Sequence, residues 1–166
     1  PAPDAESSPT CATASQVDLA VDPSLAKPLA AVVKQAQPRL LCVQLAMSVR
    51  PSAEVAAEIS RRSGQGLAGT LPDLWLPASR MWLALARSSD VGTARLTGQF
   101  PTVARSPVVV AVTAKKADTV SWPSQGPPIT ALMGGASTAS VALIDPSRDN
   151  AGLATLLQVG AAADRK

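Results

Sequence analysis

Hydroxyl and carboxylate side chains stand at four points where a short apolar segment gives way to a predicted helix. These points are Asp22-Pro23-Ser24, Ser48 to Ser52, Ser79, and the segment DPSRDNAG from Asp145 to Gly152. In open parallel α/β sheets the carboxyl ends of the strands share one edge, where helix N-termini direct N–H groups at ligands. Hydroxyls and such amides together suit a small anion or polar solute.

Each of these points alone is typical of a helix cap, and only their convergence favours a binding site. The residues that these segments predict to bind ligand are Asp22, Ser24, Ser48, Ser52 and Ser79.

The inventory of acid–base and nucleophilic groups argues against an enzyme. The chain contains no histidine, which excludes Ser/His/Asp and Cys/His systems. Glu54 and Glu58 are four residues apart on a predicted helix, a spacing typical of a solvated face. The Gly-rich segment 63–70 (SGQGLAGT) lacks the Lys-Ser/Thr of a phosphate-binding loop and the spacing of a dinucleotide-binding turn. We therefore expect no catalytic residues and no cofactor.

The two cysteines, Cys11 and Cys42, allow one intramolecular disulfide. The alternative is a pair of small buried apolar side chains. A zinc site is disfavoured because there are no histidines and no CxxC pair, so no metal is expected. Each cysteine precedes a predicted strand, and neighbouring parallel strands begin at the same edge. We therefore predict a bridge, worth roughly 3 kcal/mol in the chain-entropy model, which implies an oxidising compartment.

The charge pattern does not favour nucleic acid as a partner. Fifteen Lys and Arg stand against twelve Asp and Glu, giving a net charge of +3. The cations are scattered, and aromatic residues on which bases could stack are few. No apolar run approaches the roughly 20 residues that cross a bilayer.

Short apolar segments alternate with helical patterns along the chain. Strands are predicted at residues 17–21, 41–47, 74–76, 108–112 and 140–144, and helices at residues 23–37, 52–62, 80–87 and 150–159. This alternation predicts an α/β fold with a mostly parallel sheet and helices on both faces.

Five segments carry a resemblance to a known family. They are VDLAVDPSLAKPLAAVV (17–33), CVQLAMSVRPSAEVAAEI (42–59), LPDLWLPASRMW (71–82), ARSPVVVAV (104–112) and VALIDPSRDNAGLATLL (141–157). The chain resembles bacterial extracellular solute-binding proteins related to the molybdate-binding components of ABC transporters. It is most similar to the secreted or membrane-anchored branch, some members of which carry a von Willebrand factor A-like domain.

The resemblance implies a periplasmic-binding-protein type 2-like fold whose two lobes close on a ligand by hinge bending. Residues 13–105 would be lobe one, and residues 106–166 the crossing strand and start of an incomplete second lobe. Residues 1–12 are predicted to be a flexible leader, because residues 1–10 are rich in Pro, Ser and acidic side chains. Ser24, Ser48 or Ser52, and Ser79 would supply the contacts of lobe one. Asn150, Ala151 and Gly152 would supply those of lobe two.

One position departs from the resembled oxyanion-binding pattern. Asp22 stands where those proteins have a small neutral residue, and an acid there repels molybdate unless it points away.

These features together predict an extracytoplasmic solute-binding protein, a receptor of the ABC-transporter type for a small polar or anionic ligand. Its expected partner is a membrane permease or a fused von Willebrand factor A-like domain. Its expected location is extracellular or in the cell envelope, either secreted or membrane-anchored. The alternative is a membrane-tethered extracellular sensor or protein-interaction module without a transport role.

Overall fold

The computed structural model describes residue 11 and residues 13–61, 71–109, 111–119 and 141–163. The elements in chain order are β1 (Ser15–Val21), α1 (Pro23–Ala36), a 3-10 turn (Gln37–Arg39), β2 (Val43–Val49), α2 (Ser52–Ser60), β3 (Leu74–Leu76), α3 (Arg80–Ala86), α4 (Asp90–Arg95), α5 (Ala114–Thr119) and α6 (Asn150–Ala163). The Gly-rich segment 63–70 and the predicted leader, apart from Cys11, lie outside the described residues.

The chain divides into two compact units, Pro1–Thr97 and Gly98–Lys166. The first unit contains a three-stranded sheet and the helices α1 to α4. The second contains α5 and α6. The division into lobes at residue 105 stays a prediction.

The sheet of the first unit is wholly parallel, with the strand order β2-β1-β3. Leu19, Ala20 and Val21 at the end of the central strand are all buried. Since successive side chains of a strand point to opposite faces, both faces are covered at this end. The predicted α/β fold is confirmed.

The strand order creates a switch point beside β1. From β1 the chain proceeds to β2 on one side, and from β2 it crosses to β3 on the other side. The loops after β1 and β3 therefore leave a shared edge, which is the place where open α/β sheets bind ligands.

The core of the first unit joins α2 to α3. Val55, Ala56 and Ile59 are buried, as are Trp82 and Ala86. Val55, Ala56 and Ile59 recur at helical spacing and form the buried stripe of α2. Trp82 is 2% exposed and belongs to the core.

The short helix α4 has no counterpart among the predicted elements. Ser89 caps its start by accepting from the Gly92 amide at 3.0 Å. Arg95 at its end donates from Nη1 to the carbonyls of Ile59 and Arg61, both at 3.0 Å. The helix therefore packs close to the last turn of α2 and satisfies carbonyls that this turn leaves without intrahelical partners.

Two predicted strands are wrong. The described residues of 108–112 and 140–144 form no strand, and Val109 is 74% exposed. A β-branched run becomes a strand only when another strand pairs with it, and the local pattern does not supply that partner.

The bounds predicted for the second strand are also shifted. β2 covers Val43–Val49 rather than residues 41–47, so Ser48 lies inside the strand instead of in the loop after it.

Candidate functional site

The Asp22 carboxylate is the centre of the polar contacts at the carboxyl edge of the sheet. Its Oδ1 accepts hydrogen bonds from the Ser24 amide at 3.0 Å and from the Ser24 hydroxyl at 2.7 Å. Its Oδ2 accepts from the Ser52 amide at 3.1 Å and from the Ser52 hydroxyl. Since a carboxylate has about four acceptor positions, these four donors fill it.

Ser52 extends this contact to the third strand. It is 1% exposed, and its hydroxyl oxygen accepts from the Ala78 amide at 2.9 Å. Asp22, Ser52 and Ala78 follow β1, β2 and β3 respectively. A single chain of hydrogen bonds thus ties together the segments that follow all three strands.

The Asp22 carboxyl is held in its charged form. Burial acts to raise its pKa, but the hydrogen bonds from Ser52 and Ser24 outweigh burial, so the pKa lies below the usual 3.8. The amides of Ser24 and Ser52 belong to the first residues of α1 and α2, where the helix dipole also favours negative charge. Asp22 is therefore ionised at neutral pH.

Ser79 lies beside this cluster as the N-cap of α3. It is half-buried, and its hydroxyl oxygen accepts from the Met81 amide at 3.0 Å. A serine hydroxyl that accepts one hydrogen bond still has a proton to donate. Ser24 is exposed at the start of α1. The structure brings Asp22, Ser24, Ser52 and Ser79 to one edge, whereas Ser48 is an exposed residue within β2.

The second unit repeats part of this local chemistry. Asp145 accepts from the amide and the hydroxyl of Ser147, at 2.9 and 2.7 Å, and these hydrogen bonds lower its pKa. Asp149 caps α6 by accepting from the Ala151 amide at 2.7 Å. The Oδ1 atom of Asn150 is buried, without a hydrogen-bond partner among the described residues.

Gly152 has a packing role in the second unit. A Cβ atom placed there would lie 2.2 Å from the carbonyl oxygen of Ile144. The glycine therefore lets the first turn of α6 approach the segment before it. The binding roles of Asn150 and Gly152 stay predictions.

The predicted disulfide between Cys11 and Cys42 is present, with the two Cα atoms 5.3 Å apart. It lies at the amino edge of the sheet, where Ser15 of β1 pairs with Val43 of β2. The Ser15 amide also donates to the Cys42 carbonyl at 2.8 Å. The bridge therefore fastens the beginnings of two parallel strands, at the edge away from Asp22.

Two contacts at this site escaped the sequence analysis. The Ala78 amide has no sequence signal because any non-proline residue carries the same donor. The ion pair between Arg50 Nη2 and Glu58 Oε1, at 2.6 Å, joins the residue after β2 to α2. Since Arg50 lies outside α2, no helical spacing in the sequence links it to Glu58.

Neither a metal site nor a membrane span stands out in the described part of the chain. Across these residues, no group of three or more acidic, cysteine or histidine side chains lies where it could hold a metal ion. No helix among them is long and apolar enough to cross a bilayer.

Comparison with known families gives one match. A family model described as bacterial extracellular solute-binding protein matches residues 17–163, which is most of the chain. The chain belongs to this family. Comparisons with curated proteins and with solved structures give no significant match.

Family membership confirms the coarser part of the sequence prediction. It assigns an extracellular solute-binding role to the chain, and with it a small ligand and a location outside the cytoplasm. Solute-binding proteins of this family are generally not enzymes. The relation to molybdate-type proteins, the transporter, the anchor and the von Willebrand factor A-like domain stay predictions.

Proposed function

We propose that the first unit recognises a small polar solute at the carboxyl edge of the β2-β1-β3 sheet, as the receptor of an ABC-type transporter. The observation that supports this is the hydrogen-bonded chain from Asp22 through Ser52 to Ala78. It holds the segments after three parallel strands together at a switch point, so that polar groups on them are fixed before a ligand arrives. Such preorganisation reduces the entropic cost of binding.

Two side chains at this edge have hydrogen-bonding capacity left for a solute. Ser79 is half-buried and has a hydroxyl proton to donate, while exposed Ser24 has a hydroxyl oxygen that can accept. Asp22 and Ser52 hold the edge together, because their own groups are already engaged. We therefore assign contact with the solute to Ser79 and Ser24, whereas Asp22 and Ser52 hold the segments of this edge in place.

The test is thermal unfolding of the oxidised protein against a panel of sugars, amino acids, small anions and metal ions. A ligand at about 100 times its dissociation constant adds about 2.7 kcal/mol to the stability of the folded state, which raises the midpoint by several degrees. We expect a saturable shift with at least one polar solute, and loss of that shift in Ser79→Ala.

Ser89→Ala is the matched control for Ser79→Ala. Ser89 also caps a short helix, accepting from the Gly92 amide at 3.0 Å, but it lies at the start of α4 and not after a strand. Both variants lose a cap, worth about 1 kcal/mol, so their midpoints without ligand fall alike. Only Ser79→Ala is expected to lose the response to ligand.

Two outcomes contradict the proposal. Equal loss of response in both variants assigns Ser79 to stability alone. If no solute in the panel shifts the midpoint of a protein that unfolds cooperatively, the alternative is favoured, an extracellular sensor or protein-interaction module.

Two further experiments test the remaining predictions. Asn150→Ala in the same panel tests the predicted ligand contact of the second unit, and co-purification with a membrane permease tests the role in transport.

A further inference from the structure

Two Asp-Pro-Ser sequences in this chain differ in how their carboxylates are engaged. In Asp145-Pro146-Ser147 the carboxylate accepts two hydrogen bonds from Ser147, lies 3.8 Å from Arg148 Nε and is 56% exposed. In Asp22-Pro23-Ser24 the carboxylate accepts the same two bonds from Ser24 and two more from Ser52. The pair from Ser24 caps α1, whereas the pair from Ser52 joins a second segment of the chain to the same carboxylate.

That second pair comes from a residue thirty positions further along the chain. Ser52 is the first residue of α2 and is almost completely buried, at 1% exposure. Its amide and hydroxyl, together with those of Ser24, surround one negatively charged group. Two helix N-termini and two hydroxyls form the kind of donor set that binds free carboxylate, sulfate or phosphate.

We propose that the Asp22 carboxylate is an internal anion that fills this donor set, so that Asp22 is a specificity-determining residue that excludes oxyanions from the edge. A second anion would find its donors taken and a fixed negative charge beside it. The solute recognised at this edge is therefore neutral or positively charged. This restriction on the ligand rests on the proposed function, whereas the occupied donor set does not.

The test removes the internal anion and supplies an external one. Asp22→Ala leaves the amides and hydroxyls of Ser24 and Ser52 without their acceptor. Its thermal midpoint in chloride buffer is expected to be several degrees below that of the wild type. Titration with sodium formate, and separately with inorganic phosphate, is expected to raise this midpoint saturably and to recover most of the loss.

Three controls separate site binding from the general stabilisation that some salts give to folded proteins. The wild type and Asp145→Ala are titrated with the same anions, and neither is expected to show a saturable component. In Asp22→Ala/Ser52→Ala one of the four donors, the Ser52 hydroxyl, is removed, and the response to formate is expected to weaken.

Each result either supports or overturns the proposal. Equal responses in all variants overturn it, because they reflect salt alone. A saturable response of the wild type to an oxyanion also overturns it, although that result would support solute binding. If Asp22→Ala is unfolded in chloride, recovery of its far-ultraviolet circular dichroism by formate supports the proposal, and no recovery overturns it.

The proposed function and this proposal fail independently. A flat solute panel with the wild type, together with rescue of Asp22→Ala by formate, removes the receptor function and keeps the internal anion. If a neutral solute binds the wild type but formate does not rescue Asp22→Ala, the receptor function is kept and the internal anion is removed.

Discussion

Asp22 makes the stability of the first unit depend on pH in a defined direction. Its pKa in the folded chain lies below 3.8 because the hydrogen bonds from Ser52 and Ser24 outweigh burial. A group with a depressed pKa contributes stability that is complete above the unfolded pKa and is lost as the pH falls through the folded pKa. The contribution of Asp22 should therefore be constant near neutral pH and decline below about pH 4.

The substitution Asp22→Asn tests this pH dependence, because it removes the negative charge and keeps the size of the side chain. At neutral pH we expect the variant to be less stable by about 1–3 kcal/mol, since an amide satisfies the buried donors of Ser52 less well. Urea unfolding at a series of pH values should show the difference from wild type shrinking as the pH falls below about 4. If the difference in stability between wild type and variant stays constant down to strongly acidic pH, the stabilising role of the Asp22 charge is contradicted.

Gly92 marks a close approach that no larger residue fits. A Cβ atom there would lie 1.8 Å from the carbonyl oxygen of Ala86, which is backbone and cannot rotate away. Gly92→Ala should therefore force α4 from α3 and lower the stability by about 1–3 kcal/mol. Gly160→Ala is the control, because nothing lies within 4 Å of the added atom and helix propensity favours alanine by about 0.5–1 kcal/mol. Thermal unfolding showing equal effects would contradict the packing argument.

Among the elements, α2 depends on a side chain from α4 for its C-terminus. Arg95 Nη1 donates to the carbonyls of Glu58, Ile59 and Arg61, at 3.3, 3.0 and 3.0 Å. Arg95→Ala should therefore destabilise the last turn of α2, by about 1 kcal/mol. Amide hydrogen exchange should become faster there. Arg80→Ala removes the same charge from an exposed position and should leave exchange in α2 unchanged; acceleration in both variants would point to net charge instead.

The elements of the first unit were largely predictable because their signals are local. Asp22 and Pro23 start α1, Pro38 follows its end, and the apolar spacing in α2 matches its buried stripe. The strands predicted at 108–112 and 140–144 are wrong for the complementary reason. A strand needs a partner, and β-branched composition does not say whether one is present.

The candidate site shows the same limit. Asp22, Ser52 and Ser79 could each be found as a residue at a helix start, and their sharing of one edge follows from parallel strands. That Asp22 accepts from Ser52, thirty residues away, depends on the spacing of β1 and β2 and could not be predicted. The sequence therefore predicts where the candidate site lies, while the structure shows that the Asp22 carboxylate already accepts hydrogen bonds from Ser24 and Ser52.

At the scale of the molecule, the family assignment covers both compact units, whereas the polar network belongs to the first. The family model extends over residues 17–163, beyond the boundary at Thr97. Within the first unit, the carboxyl edge of the sheet is held by the Asp22 contacts and the amino edge by the disulfide. The hydrogen bonds of Asp22 and the disulfide lie at opposite ends of the same pair of strands, so β1 and β2 are fixed in register at both ends.

The disulfide should accordingly contribute much of the stability of the chain. It closes a loop with a sequence separation of 31, for which the chain-entropy model gives about 3–4 kcal/mol. Cys11→Ser/Cys42→Ser should lower the free energy of urea unfolding by about that amount. Since Trp75 and Trp82 lie in the first unit, their fluorescence in a Trp122→Phe background reports its unfolding.

Reduction of the bridge is the matched measurement, because it breaks the same bond without changing the sequence. A thiol reductant should shift the transition of the parent protein to that of the double serine variant and leave the variant itself unmoved. If the reduced parent unfolds at the same urea concentration as the oxidised one, the folded segment between the cysteines does not need the bridge. The register of β1 and β2 would then depend on the contacts of Asp22 and on the buried end of β1.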